Sequence, residues 1–199
     1  MGKWIGIGVA VLVGILVLTG ISSYNTLNGL EQGVRAQWGQ VENVYQRRAD
    51  LIPNLVETVK GAANFEQETL QGVISARARA TQATVNVDSS VVNDPEAFER
   101  FQAAQGELSG ALSRLMVSVE RYPELKANQN FRDLQAQLEG TENRISTERM
   151  RFNQAAQAFN TKRFSFPTVL VAGFFGSRFN EKAYFKASAG AENAPSVQF

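Results

Sequence analysis

Any chemistry in this chain has to come from carboxylate, lysine, tyrosine or Ser/Thr side chains. The densest polar clusters are Glu142-Asn143-Arg144 with Arg149 and Arg151 close behind, and the pair Arg77 and Arg79. On a helix, spacings of three and four put Glu142 beside Ile145 and Arg144 beside Glu148. The plain reading is a solvated face whose ion pairs contribute ~0.3–0.5 kcal/mol each. The functional reading is a polar patch that takes a partner chain or an anionic headgroup. Glu66 and Glu68 stand two apart, on different helix faces, and make a poor acid–base or metal pair. Histidine and cysteine are both absent. That removes thiolate and imidazole metal sites, Ser-His-Asp and Cys-His catalysis, His-ligated haem and disulfides. No glycine-rich phosphate loop or nucleophile elbow occurs. The inventory points to no enzyme, no cofactor and no metal.

The elements that position these clusters are helices. Positions 34, 38, 41, 45, 48, 52, 55, 59 and 62 step by four and three without a miss, the seam of a helix packed lengthwise on another. Arg48 falls on that seam where an apolar residue is expected, so it must snorkel or find a carboxylate. Pro53 has no N–H and crowds the preceding turn, which predicts a kink or a helix restart with Asp50 as its cap. After Gly61 a helix is expected from Glu66 to Ala83 with Leu70, Val73, Ile74 and Arg77 on one face. Residues 84–94 have no helical period and read as the longest loop. Asp94-Pro95-Glu96 is a helix start. A helix to about Arg121 follows, with the seam 98, 101, 105, 108, 112, 115, 119. Tyr122-Pro123 interrupts it. The last long helix carries 134, 138, 141, 145, 148, 152, 155, 159, with Glu148 as its polar intruder. Arg48 and Glu148 are thus candidates to pair across an antiparallel bundle.

Ahead of the bundle, Trp4 to Ile21 is an 18-residue uncharged run, long enough to cross a bilayer, flanked by Trp4 and Tyr24. A cleaved signal peptide is the alternative, but no Ala-x-Ala site follows. Of 20 basic and 19 acidic residues only Lys3 precedes the run. This favours a cytoplasmic N-terminus and a body outside the bacterial inner membrane, on the periplasmic or outer side. The remainder is balanced, which argues against nucleic acid. At the other end, eight of the 13 phenylalanines lie between 152 and 185. Phe164-Ser165-Phe166-Pro167 stops the helix, and the apolar run from Thr168 to Gly176, with Phe174 and Phe175, is too short to span. It either folds back to cap the core or offers a sticky surface to a subunit or to lipid. The expected organisation is an anchor at 1–23, an all-α bundle at 24–186 and a flexible tail at 187–199.

Several blocks in this order resemble the LemA family of bacterial membrane-anchored proteins. They are Arg47 to Gly61; Tyr122-Pro123-Glu124-Leu125-Lys126-Ala127-Asn128; Thr141-Glu142-Asn143-Arg144-Ile145; Phe152-Asn153 with Asn160; and the Phe164-to-Phe185 segment. Ala49 stands where an aromatic is customary, and Asn64-Phe65-Glu66 replaces a more polar turn. The resemblance implies an N-terminal membrane helix followed by an elongated antiparallel helical bundle with a short aromatic C-terminal segment, and no agreed reaction. The residues singled out for structural or interaction roles are Arg48, Asp50, Pro53, Asn54, Tyr122, Pro123, Glu142, Asn143, Arg144, Glu148, Phe166, Pro167, Phe174 and Phe175. The expected partners are membrane lipid through residues 4–21 and further copies of the chain, in a non-enzymatic envelope scaffold. The alternative is an adaptor or regulator of another envelope protein such as a protease.

Overall fold

The computed structural model describes residues 2–61, 65–85 and 91–186. The expected tail at 187–199 and the middle of the 84–94 loop lie outside these residues. Six α-helices follow one another: α1 (Gly2–Lys60), α2 (Gln67–Val85), α3 (Pro95–Val119), α4 (Pro123–Ala127), α5 (Gln129–Phe164) and α6 (Thr168–Phe174). Short 3-10 turns at Val91–Asn93 and Gly176–Phe179 complete the described chain, in which no residue is in a strand. The fold is all-α, as the periodicity requires.

Helix starts obey the local signals. The Asp94 carboxylate accepts from the backbone N–H groups of Glu96 and Ala97, with Pro95 in the first position of α3. Asn128 caps α5 through the Phe131 N–H at 3.2 Å. Cross-helix bonds fix direction. Gln37 meets Glu148 and Arg48 meets Glu142, so α1 and α5 run antiparallel. Arg121 meets Glu66 and Arg79 meets Glu107, so α2 and α3 do too.

The seams of α1 and α3 are buried at every described position. They close two cores stacked along the bundle. The one farther from the apolar run is mainly aliphatic, built on Ile52, Leu55, Val59, Val73, Leu108 and Leu115. The nearer one is aromatic: Trp38 lies within 6.2 Å of the rings of Phe98, Phe101, Phe152 and Phe185. On α2 the buried row is Leu70, Val73, Ala76 and Ala80, while Ile74 is exposed, which shifts the expected face by a fraction of a turn.

Of the two readings at Pro53, a kink or a restart, the restart does not occur: α1 is one helix of 59 residues with Pro53 inside it. Asp50 is exposed and accepts from Gln46 rather than capping. The reason is local. A proline at 53 leaves the carbonyl of Ala49 without its helical donor, and Arg77 of α2 supplies one, its Nε donating to Ala49 O at 2.8 Å. A neighbouring helix thereby completes the interrupted ladder.

Candidate functional site

The polar centre of the bundle is Arg48. Its side chain is 1% exposed, at the boundary between the two cores. One guanidinium nitrogen donates to the Glu142 carboxylate and to Ser109 Oγ, both at 2.8 Å. The other donates to the backbone and side-chain oxygens of Gln105. The guanidinium also lies 5.1 Å from the Tyr45 ring centroid, and burial raises the phenol of Tyr45 above its ordinary range. Gln105 passes the network on through its amide to Ala80 O and Thr84 Oγ1 of α2. Arg48, itself on α1, thus ties α3 and α5 through its own hydrogen bonds and α2 through Gln105.

The expected Arg48–Glu148 pair is not formed. Glu148 accepts from Gln37 at 2.6 Å and from Arg151 at 2.8 Å. Gln37 precedes Arg48 on α1 by eleven residues, roughly 16 Å of helix, so the antiparallel register delivers Glu142 to Arg48 instead. Arg144, taken as a neighbour of Glu148, is exposed, as is Asn143.

Glu142 keeps 43% of its side chain accessible. Beside it opens a groove of about 600 Å³ whose walls include Glu99, Gln102, Ser109, Arg149 and Lys186. This groove gathers charges of both signs and no nucleophile–base pair. The other sequence candidates scatter. Asn54 is exposed on α1, Tyr122 packs on Phe65 with ring centroids 4.8 Å apart, and Pro123 opens α4. Phe166, Pro167, Phe174 and Phe175 lie around α6, far along the bundle from Arg48 on the side of the apolar run.

A second polar centre had no signal in the periodicity. Lys182 lies in an irregular segment, yet its ammonium is buried and reaches Glu31 of α1 at 3.4 Å, the Asn93 amide oxygen and the face of Phe159 at 4.5 Å. Burial lowers the Lys182 amine below the ordinary lysine value, and Glu31 works against that shift. Asn160 holds the same segment twice, accepting from the Lys182 N–H and donating to the Lys182 carbonyl, both at 2.9 Å. Asn153, seven residues earlier on α5, does the same for the Phe185 backbone. Two asparagines two turns apart therefore clamp 182–185 to the bundle as a strap. A polar residue on a seam would have flagged Gln105; nothing at the level of pattern flags Lys182.

One further arrangement lies on the apolar part of α1. Gly6, Ala10 and Gly14 form an i, i+4, i+8 row, and a Cβ at Gly6 or Gly14 would meet no atom within 4 Å. This is a small-residue stripe on a helix long and apolar enough to cross a membrane, its apolar window unburied by the rest of the chain.

The order of the blocks around Arg48, Glu142 and the asparagine strap matches the LemA family profile across residues 37–199. The chain belongs to the LemA family. Among relatives, magnetosome protein MamQ 2 of Paramagnetospirillum magneticum is 25% identical over 85% of this chain and 67% of its own length. MamQ of Magnetospirillum gryphiswaldense is 25% identical over 79% and 64%. Protein LemA of Metamycoplasma hominis is 22% identical over 80% and 68%. The chain therefore spans about two thirds of the length of these relatives. Both buried cation centres of this LemA-family chain have Arg48 or Lys182 inside the matched region, with Glu31 just ahead of it.

Proposed function

We propose that this LemA-family chain is a non-enzymatic, single-pass scaffold of the bacterial cell membrane whose bundle assembles with copies of itself on the outer side. The observation that carries this reading is the open Gly6, Ala10, Gly14 row on the membrane-length part of α1. In lipid, helices associate by close backbone packing at small residues rather than by burying apolar surface. The bundle adds no competing chemistry. Its polar centres spend most of their donors and acceptors on holding helices together, and the groove beside Glu142 sets carboxylates against basic groups. The orientation follows from Lys3 ahead of the apolar run.

In mild detergent the intact protein is expected to run as a discrete oligomer. Gly14→Leu, which keeps the run apolar but blocks close approach, should shift it towards one chain per micelle. A mass corresponding to monomer alone for the wild type overturns the scaffold. A second reading, an adaptor for another envelope protein such as a protease, draws on the mixed-charge groove at Glu142. Crosslinking in native membranes separates the two: a dominant self-crosslink supports the scaffold, and a stoichiometric foreign partner through the groove supports the adaptor.

A further inference from the structure

The short helix α6 is apolar on both faces. Thr168 and Ala172 are buried against the bundle, and Phe179 just beyond it is fully covered. The opposite side, Leu170 and Phe174 of the helix with Phe166 just ahead of it, stands open, with Phe166 80% and Phe174 86% exposed. A helix apolar all round is normally surrounded by apolar material on every side, and here protein covers only half of it. The open side borders a groove beside α1 at the end of its apolar run. This groove, of about 790 Å³, lies between the two helices and is walled by Leu16, Val17 and Ile21 of α1, Leu170 and Phe174 of α6, and Phe175 just after it. Tyr24 closes its upper end, ring to ring with Phe175 at 4.8 Å.

Position decides what fills it. Residues 16 to 21 are the last part of the apolar run, about 8 Å of helix. Segments that lie in a membrane interface bury their apolar face about 5–10 Å deep, and α6 sits beside α1 over that same stretch. Above it, Arg178 donates to Asn28 Oδ1 at 3.2 Å, seven residues past Ile21, so a cation stands roughly 10 Å beyond the end of the apolar run, the height of headgroups if α1 spans. The groove is thus continuous with the exposed apolar surface of α1, and one cation, Arg178, lies beyond its upper end.

We propose that α6 is a second membrane contact, immersed in the leaflet on the side of the bundle, and that the α1–α6 groove is occupied by an acyl chain of that leaflet. This rests on α1 crossing the membrane. It makes the anchor two-legged, one leg spanning and one lying in the interface.

Because the sequence has no cysteine, single cysteines carry a nitroxide without background. Full-length Leu12→Cys, Phe174→Cys and Ser75→Cys, the last exposed on the bundle, are reconstituted in phosphatidylethanolamine–phosphatidylglycerol vesicles. Collisions with oxygen, enriched in lipid, are compared with those of a water-soluble nickel chelate. The oxygen-to-nickel ratio at 174 is expected to be several-fold above that at 75 and to approach that at 12. A ratio at 174 equal to that at 75, with 12 in lipid, overturns the proposal and leaves the anchor intact. Exclusion of both reagents at 174 assigns the face to a second copy and also overturns it. An aqueous label at 12 removes the anchor reading and this one together. Leu170→Cys, on the same open side, repeats the measurement should Phe174→Cys fail to fold.

Discussion

Arg48 and Lys182 are both buried cations, one at the boundary between the aliphatic and aromatic cores, the other where the C-terminal strap crosses the aromatic core. Their surroundings differ in kind. Arg48 spreads its donors over a carboxylate, a hydroxyl and two amide oxygens, and its carboxylate partner reaches solvent. Lys182 is closed in with Glu31, whose side chain is 2% exposed and which also takes Arg35 of its own helix at 3.2 Å. The planar guanidinium suits a node where three helices must be held in one register. The ammonium, a compact charge whose proton burial disfavours, pins a single irregular segment. The difference shows two uses of an internal charge: one sets how helices align, the other fastens what crosses over them.

The sharpest way to break this contrast is to remove the anion from the first centre. Glu142→Ala leaves Arg48 buried with neutral acceptors only. Losing one member of a buried pair costs ~3–5 kcal/mol, and the lower end is expected because Glu142 is half open to water. Replacing both, Arg48→Met with Glu142→Leu, should recover much of that loss, whereas Arg48→Met with Glu148→Leu should show no coupling. Denaturant unfolding of the full chain in detergent measures the cycle. Equal coupling for both carboxylates would show that Arg48 does not read register.

A third cation sharpens the comparison from outside the cores. Arg77→Ala strips the Ala49 carbonyl of its donor, and an orphaned polar group of this sort costs ~1–3 kcal/mol. With Pro53→Ala in the background an N–H returns to position 53, and the same Arg77 change should fall to the ~0.5 kcal/mol of an ordinary surface substitution. An undiminished effect would mean that Arg77 acts by packing.

The smallest expected effect is a slope with pH. Folding lowers the Lys182 amine below its unfolded value near 10.5, so in the alkaline window beneath that value the unfolded chain binds more protons than the folded one. Stability from this group therefore rises as pH climbs towards 10.5, and the full cost of a buried ammonium is felt below the folded value. Lys182→Met should flatten the rise. Arg48→Met, with a guanidinium removed in place of an amine, is the control. A parallel curve for wild type and Lys182→Met would remove the distinction between the two centres.

How far these features were legible follows from the same physics. The seams of α1 and α3 were readable because a four-three repeat is a direct consequence of helix packing, and Arg48 stood out as the polar residue on one of them. Its partner was not readable. Glu142 and Glu148 lie on neighbouring turns of α5, and which one meets Arg48 depends on a register set by the whole hairpin. The restart reading of Pro53 failed because it is a local expectation, and the remedy, Arg77, comes from another helix. Lys182 lay in a stretch with no period, where side chains are placed by the asparagine clamps rather than by any repeat. The two faces of α6 were both foreseen as alternatives, a cap and an open surface, and the helix is narrow enough to present both at once.

The unbroken run of α1 has a mechanical consequence. From Tyr24 to Lys60 it continues for 37 residues, roughly 55 Å, with no loop between anchor and bundle to absorb a change of angle. Spanning helices answer a thinner or thicker bilayer by tilting. If α1 spans the membrane as proposed, a tilt of about 10° of this stiff shaft sweeps the far end of the bundle sideways by roughly 10 Å, so a change in bilayer thickness would be read out as a lateral displacement of the bundle tip.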